Sequence, residues 1–252
     1  MELLLMTSAS LLAGFVDAIV GGGGLILVPA LFAIFPTAAP ASLFGLNKSA
    51  SVWGTSIAAL QFSRRVHMNW HALLPAAGAG LIGGFVGAWA VTVVSGEFLR
   101  KLLPLVLLGV LAYTLARKDL GRHHAPALGR GAERLVAGGI GLVLGFYDGF
   151  FGPGTGSFFV FLFVRWLGYD FLHASAAAKL LNTATNLSAL TLFALKGHVW
   201  WHYALALAIA NVVGSLLGTR MALRHGASFV RGVFIVVVSA LILKTGWDAF
   251  GG

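Results

Sequence analysis

The sequence has no cysteine, which excludes disulfides, thiolate metal centres and a thiol nucleophile. Charge is also scarce: Asp, Glu, Lys and Arg make up 10% of the 252 residues, against 58% hydrophobic residues. A soluble chain of this length needs a polar shell that so few charged groups do not supply, so soluble enzymes and disordered tails are excluded. No Lys or Arg precedes Lys48, so the apolar stretch MELLLMTSASLLAGFVD has no basic leader region and is expected to stay as a first helix. Enzyme signatures are missing too. There is no Gly-x-Ser-x-Gly elbow, no His-Glu-x-x-His and no close carboxylate pair, and GPGTGS has neither the Lys nor the preceding strand of a nucleotide loop.

What remains is a lipid-embedded composition, with a mean hydropathy of +0.90. The formal charge of +9 resides in short basic clusters between long apolar runs, which fits membrane orientation and not nucleic-acid binding. The expected surroundings are therefore a lipid bilayer, with no nucleic acid.

The chain is also duplicated. GFVDAIVGGGG beginning at Gly14 returns as GFYDGFFGPGT beginning at Gly145, an offset of 131 positions. The same ungapped offset relates Lys48 to Lys179, His67 to His198, Trp70 to Trp201, Gly83 to Gly214 and Gly87 to Gly218. The expected organisation is a first membrane repeat over 1–117, a basic linker over 118–134 and a second repeat over 135–252. Apolar segments are expected near 3–20, 24–36, 41–62, 71–94 and 98–116, then 135–151, 156–167, 172–194, 202–222 and 230–247. One crossing takes about 20 apolar residues. Each half thus reads as about four full helices plus a short helix after a Gly-rich break.

Loop charges choose between parallel and inverted halves. Setting aside Lys48 and Lys179, five crossings per half put eleven Lys and Arg on the linker side and four opposite, whereas four crossings give nine and six. The stronger bias selects five crossings. The expected fold is an all-α polytopic membrane protein of inverted repeats, with the linker cytoplasmic and both termini outside. Interrupted helices in such repeats place transporter substrate sites near mid-membrane.

Each break frees backbone N–H groups that hydrocarbon cannot satisfy. The helix beginnings after Gly21, Gly22, Gly23 and Gly24, and after Gly152, Gly154 and Gly156, would turn a positive helix end on an anion, with Thr155 and Ser157 adding hydroxyls. Close helix packing is the alternative role for these glycines. Lys48 and Lys179 lie inside apolar segments, where a cation is unfavourable by ~2.5–3.5 kcal/mol and therefore calls for a partner. Three readings are open: contact with an anionic substrate, helped by Asn47, Asn182 and Asn186; ion pairs of Asp17 with one lysine and Asp148 with the other; or snorkelling of Lys48, which lies near a segment start. Those aspartates could carry protons or cap the short helices, capping being the simpler role. His67 and His71, like His198 and His202, have metal-compatible spacing but no third ligand in the sequence nearby, so they read as interfacial anchors. His123 and His124 read as solvated. No metal and no cofactor are expected.

GFVDAIVGGGGLILVPAL, GLNKSAS and GFYDGFFGPGTGSFF together resemble the TauE/SafE family of membrane transporters, in its YfcA-like branch, over essentially the whole chain. The resemblance implies movement of sulfur-containing anions, such as sulfite, sulfonates, sulfoacetate or thiosulfate, across the bacterial inner membrane. The positions it carries over are Asp17, Gly21, Gly22, Gly23, Gly24, Pro29, Asn47 and Lys48, then Asp148, Gly149, Gly152, Pro153, Gly154, Gly156 and Lys179. The second half has no Asn before Lys179 and no match to Pro29, so the two sides of a site are expected to differ. The expected function is a secondary transporter of a small anion working by alternating access, not an enzyme. An anion channel and a non-transporting subunit of a membrane complex are the alternatives. Assembly as a homo-oligomer stays open.

Overall fold

A computed structural model describes residues 1–92, 108, 121, 123–126 and 128–250. The expected segment 98–116 and the linker residues Arg117, Lys118 and Arg122 lie outside the described residues. Within them the chain is helical: α1 Glu2–Val20, α2 Gly24–Ile34, α3 Pro40–Ser63, α4 Trp70–Val91, α5 Arg130–Phe150, α6 Thr155–Leu162 continued by a π-helical turn Phe163–Leu167, α7 Phe171–Leu195 and α8 Trp201–Phe250. Three stretches among the described residues, Glu2–Val20, Trp70–Val91 and Trp201–Ala240, are long and apolar enough to cross a bilayer. Among the described residues the protein is all-helical, with spans that fit a membrane protein.

Local chemistry sets the ends. α1 stops where Gly21 turns left-handed at φ 76°, its N–H donating to the Asp17 carbonyl at 2.8 Å. α2 then runs for 11 residues, about 16 Å, or half of a hydrocarbon core of about 30 Å. In the second half Gly152 and Gly154 are both left-handed, at φ 86°, and α6 starts after them. The helices otherwise follow the expected segments, with two differences. α5 begins at Arg130, inside the stretch assigned to the linker, because Glu133 in its first turn is buried and accepts from Asn69 Nδ2 at 2.7 Å and Tyr169 Oη at 2.6 Å. The last two segments form one run, α8, broken at Gly226 (φ 74°, ψ −167°), a conformation only glycine adopts readily.

The halves interlock. α1 packs on α8, α4 on α5, and α3 on α7, so the most extensive pairs among the described residues join helices from opposite halves. The contacts repeat under the 131-residue offset. A Cβ on Gly83 would lie 2.2 Å from the Leu142 carbonyl oxygen, and one on Gly214 would lie 2.0 Å from that of Leu11. Backbones this close need glycine on one side, and lipid supplies no hydrophobic force to substitute for such packing. Polar groups reinforce the α1–α8 seam: Ser10 Oγ donates to the Leu207 carbonyl at 2.7 Å, and Asn211 Nδ2 to that of Ser10 at 3.1 Å.

Candidate substrate site

The two glycine breaks meet. A Cβ on Gly21 would fall 2.3 Å from the Gly156 carbonyl carbon, and one on Gly156 would fall 2.4 Å from the Gly21 Cα. Ser157 Oγ crosses the junction to donate to the Gly21 carbonyl at 2.9 Å, and Thr155 Oγ1 donates to that of Gly152 at 2.7 Å. Both hydroxyls therefore serve the backbone of the turns. Tyr147 Oη, donating to the Pro153 carbonyl at 2.6 Å, braces the second turn.

Against this junction lie the middles of α3 and α7, each carrying its lysine. Lys48 of the first half pairs with Asp148 of the second, Nζ to Oδ2 at 2.7 Å, and donates to Asn186 Oδ1 at 2.9 Å. Lys179 of the second half pairs with Asp17 of the first at 3.0 Å and also donates to the Asp17 backbone carbonyl. Each cation thus takes its counter-ion from the other repeat. The Lys48 and Asp148 side chains are 4% and 6% exposed, and those of Lys179 and Asp17 0% and 17%. Asp17 has a second task, accepting from the Gly23 N–H at 3.3 Å beside the start of α2.

Two lysines and two aspartates leave the centre with no net formal charge. The cavity among them, about 20 Å³, has room for one water. It is bounded by Asp17, Lys48 and Asp148, by Asn47, Asn182 and Asn186, by Ser51 and Thr155, and by Gly21, Gly23, Gly24, Gly152, Gly154 and Gly156. Of the positions picked from sequence, Gly22, Ser157 and Lys179 are buried but do not line it. Ser51 is the lining residue missed from sequence. The 131-residue offset from Asn182 leads straight to it. Asn47 Oδ1 and Asn182 Oδ1 are buried without a hydrogen-bond partner, leaving polar capacity unused at the cavity wall.

The histidines lie elsewhere. His67, His71 and His202 are exposed, and His198 Nδ1 contacts Ser42 Oγ at 3.4 Å. His124 is exposed but not merely solvated: its ring stacks on His173 at 3.9 Å, beside Asp170. Asp170 caps α7, accepting the His173 N–H at 2.7 Å, and its other oxygen faces His173 Nδ1 at 2.9 Å. Burial would raise the Asp170 carboxyl, but the hydrogen bonds and charge of His173 hold it below its ordinary value. Burial, and then the neighbouring His173, lowers the His124 imidazole. Two backbone hydrogen bonds fasten the linker here, Ala125 N–H to the Gly168 carbonyl at 2.8 Å and Phe171 N–H to that of Gly121 at 2.9 Å.

The sulfite exporter TauE/SafE family model matches residues 6–245. This chain belongs to the TauE/SafE family. It is 35% identical over 240 residues to a probable membrane transporter protein, ORF9, of Sinorhizobium, covering 94% of this chain and 89% of that protein. It is 34% identical to the probable membrane transporter protein YfcA of Escherichia coli K12, covering 96% and 88%, and 31% identical to one from Haemophilus influenzae, covering 98% and 97%. No solved structure matches. Family and relatives support a membrane transporter. In this TauE/SafE chain the two lysine–aspartate pairs fall where the glycine breaks of both repeats converge.

Proposed function

We propose that the chain is a secondary transporter that moves a small organic or inorganic anion across the bacterial inner membrane by alternating access, and that a sulfur oxyanion such as sulfite or a sulfonate is the first substrate to test. The reciprocal pairing of Lys48 with Asp148 and Lys179 with Asp17, at the seam of the halves, carries this reading. Intramembrane ionisable groups are costly and mark solute and proton paths. The repeats 1–117 and 135–252 act as opposed units about that seam, with the linker cytoplasmic and both termini outside. One observation favours this inverted arrangement: Arg64 and Arg65 share one groove with Arg220 and Arg224. Four crossings per half would put the first two of these arginines on the opposite face from the last two.

The charge balance dictates how an anion enters. A bare anion added to two paired lysines and two paired aspartates would leave an uncompensated negative charge in a dry site, which is strongly unfavourable. A proton on Asp148 or Asp17 removes that penalty, because it releases a lysine to face the anion while the total stays neutral. The anion and a proton therefore occupy the site together. A cavity with room for one water also has to widen as the halves separate, which favours a carrier over a channel.

Purified protein in liposomes tests the reading. An inward pH gradient, acid outside, should drive accumulation of sulfite or a sulfonate, and both Lys48→Ala and Lys179→Ala should abolish it. Full flux in both lysine variants would remove the site from transport, and flux far above carrier rates without counterflow would mark a channel.

A further inference from the structure

Away from the central site, α3 and the first stretch of α8 end at the same level. Arg64 and Arg65 follow the last turn of α3, and Arg220 and Arg224 occupy the turns before the break at Gly226. Together they line an open groove of about 780 Å³ floored by Leu216 and Leu217. No carboxylate lines it, and none of the four exposed guanidinium groups has a hydrogen bond or ion pair among the described residues. Four cations with no partner among the described residues, gathered from positions about 155 apart in the chain, raise a local positive potential that attracts an anion. The floor narrows the anion's identity. Leu216 and Leu217 are 41% and 51% exposed on a helix long and apolar enough to span lipid, so the ligand carries hydrocarbon below its charge.

We propose that this groove is a binding site for an anionic phospholipid, with the headgroup phosphate held by Arg64, Arg65, Arg220 and Arg224 and the acyl chains lying on Leu216 and Leu217. Guanidinium groups grip phosphate oxygens in a bidentate fork that a choline headgroup, carrying its own cation, does not reward with net charge. Basic pockets between membrane helices near the headgroup level suit lipids bearing two phosphates. Four arginines match the two phosphates of a diphosphatidylglycerol better than the single phosphate of phosphatidylglycerol. The site bridges the first repeat to the second, so an occupied groove fastens α3 to α8.

Thermal unfolding of the full chain in a neutral detergent tests this with no transport substrate present, so the outcome is independent of the transport reading. Diphosphatidylglycerol should raise the melting temperature saturably at low micromolar concentration, phosphatidylglycerol less, and phosphatidylcholine not at all. Inorganic phosphate at the same concentrations should also do nothing, whereas an equal shift with phosphate would replace the lipid site with a free-anion site. In Arg64→Gln/Arg220→Gln the diphosphatidylglycerol shift should fall at least tenfold in apparent affinity, with the lipid-free melting temperature unchanged or slightly raised. If that variant does not accumulate, the single changes Arg65→Gln and Arg224→Gln serve instead, each expected to weaken the lipid shift several-fold. Retention of the full lipid shift in whichever variants are obtained would overturn the assignment.

Discussion

Lys48 and Asp148 stand 100 residues apart in the chain but form an ion pair 2.7 Å across, both almost fully buried. A pair like this is worth little as a net contribution to stability, but breaking it strands a charge, which costs about 3–5 kcal/mol. Lys48→Met should therefore lower unfolding stability by about that amount, while Lys48→Met with Asp148→Leu should recover most of it and still move no anion. Thermal unfolding and liposome flux on the three proteins check this; a double variant that transports normally would make the pair a structural strut. The sequence exposed these ionisable residues through their apolar surroundings and their shared offset. It did not reveal who pairs with whom, because an offset relates equivalent residues rather than partners, and Asp17 is equally available in sequence to Lys48 and Lys179. Ser51 was legible by the same offset and was missed, since a serine in an apolar segment attracts no notice alone. Thr155 and Ser157 were visible as hydroxyls, but their donation to the carbonyls of the turns depends on how the breaks meet.

At the scale of elements, the interrupted helices were readable because glycine runs inside apolar sequence punctuate strongly. Their mutual contact was not, because Gly21 and Gly156 are not offset equivalents. Gly156→Ala places a Cβ 2.4 Å from the Gly21 Cα, forcing backbone apart, and overpacking of this kind costs about 1–3 kcal/mol or more. Gly139→Ala, where nothing lies within 4 Å, is the matched control and should be neutral or slightly stabilising on a helix. Equal melting temperatures for the two variants would contradict the contact. The start of α5 escaped notice because Arg130, Glu133 and Arg134 look like loop, and the burial that makes Glu133 a helix residue comes from Asn69 and Tyr169 on other elements.

The linker clamp on α7 should respond to pH in a definite direction. His124 is held below its ordinary 6.5 and Asp170 below its ordinary 3.8, so each contributes stability present above those values. That contribution is lost as pH falls through the folded values. Hydrogen exchange at Ala125 and Phe171 should therefore quicken, relative to the intrinsic rate, as pH falls below about 6.5 and again below about 3.8. Protection that is flat across this range would mean that these groups do not hold the clamp.

Among the described residues the most extensive helix packing, α1 on α8, α4 on α5 and α3 on α7, joins one half of the chain to the other, so the centre is enclosed by both. A reporter fused after Gly252 should be found on the periplasmic side of the membrane, and one inserted in the 123–126 stretch should be cytoplasmic. The opposite result at the C-terminus would restore four crossings per half. Duplication and charge bias were legible over the full chain length, whereas the neutrality of the centre emerged only when both aspartates were seen against both lysines.

That neutrality makes one observation decisive: proton uptake when the anion binds. In weakly buffered detergent solution with a pH indicator, adding sulfite or a sulfonate already shown to bind should take up about one proton per anion charge bound, and Asp148→Asn together with Asp17→Asn should abolish the uptake. Binding of the same anion to the unaltered protein with no proton taken up would contradict the account.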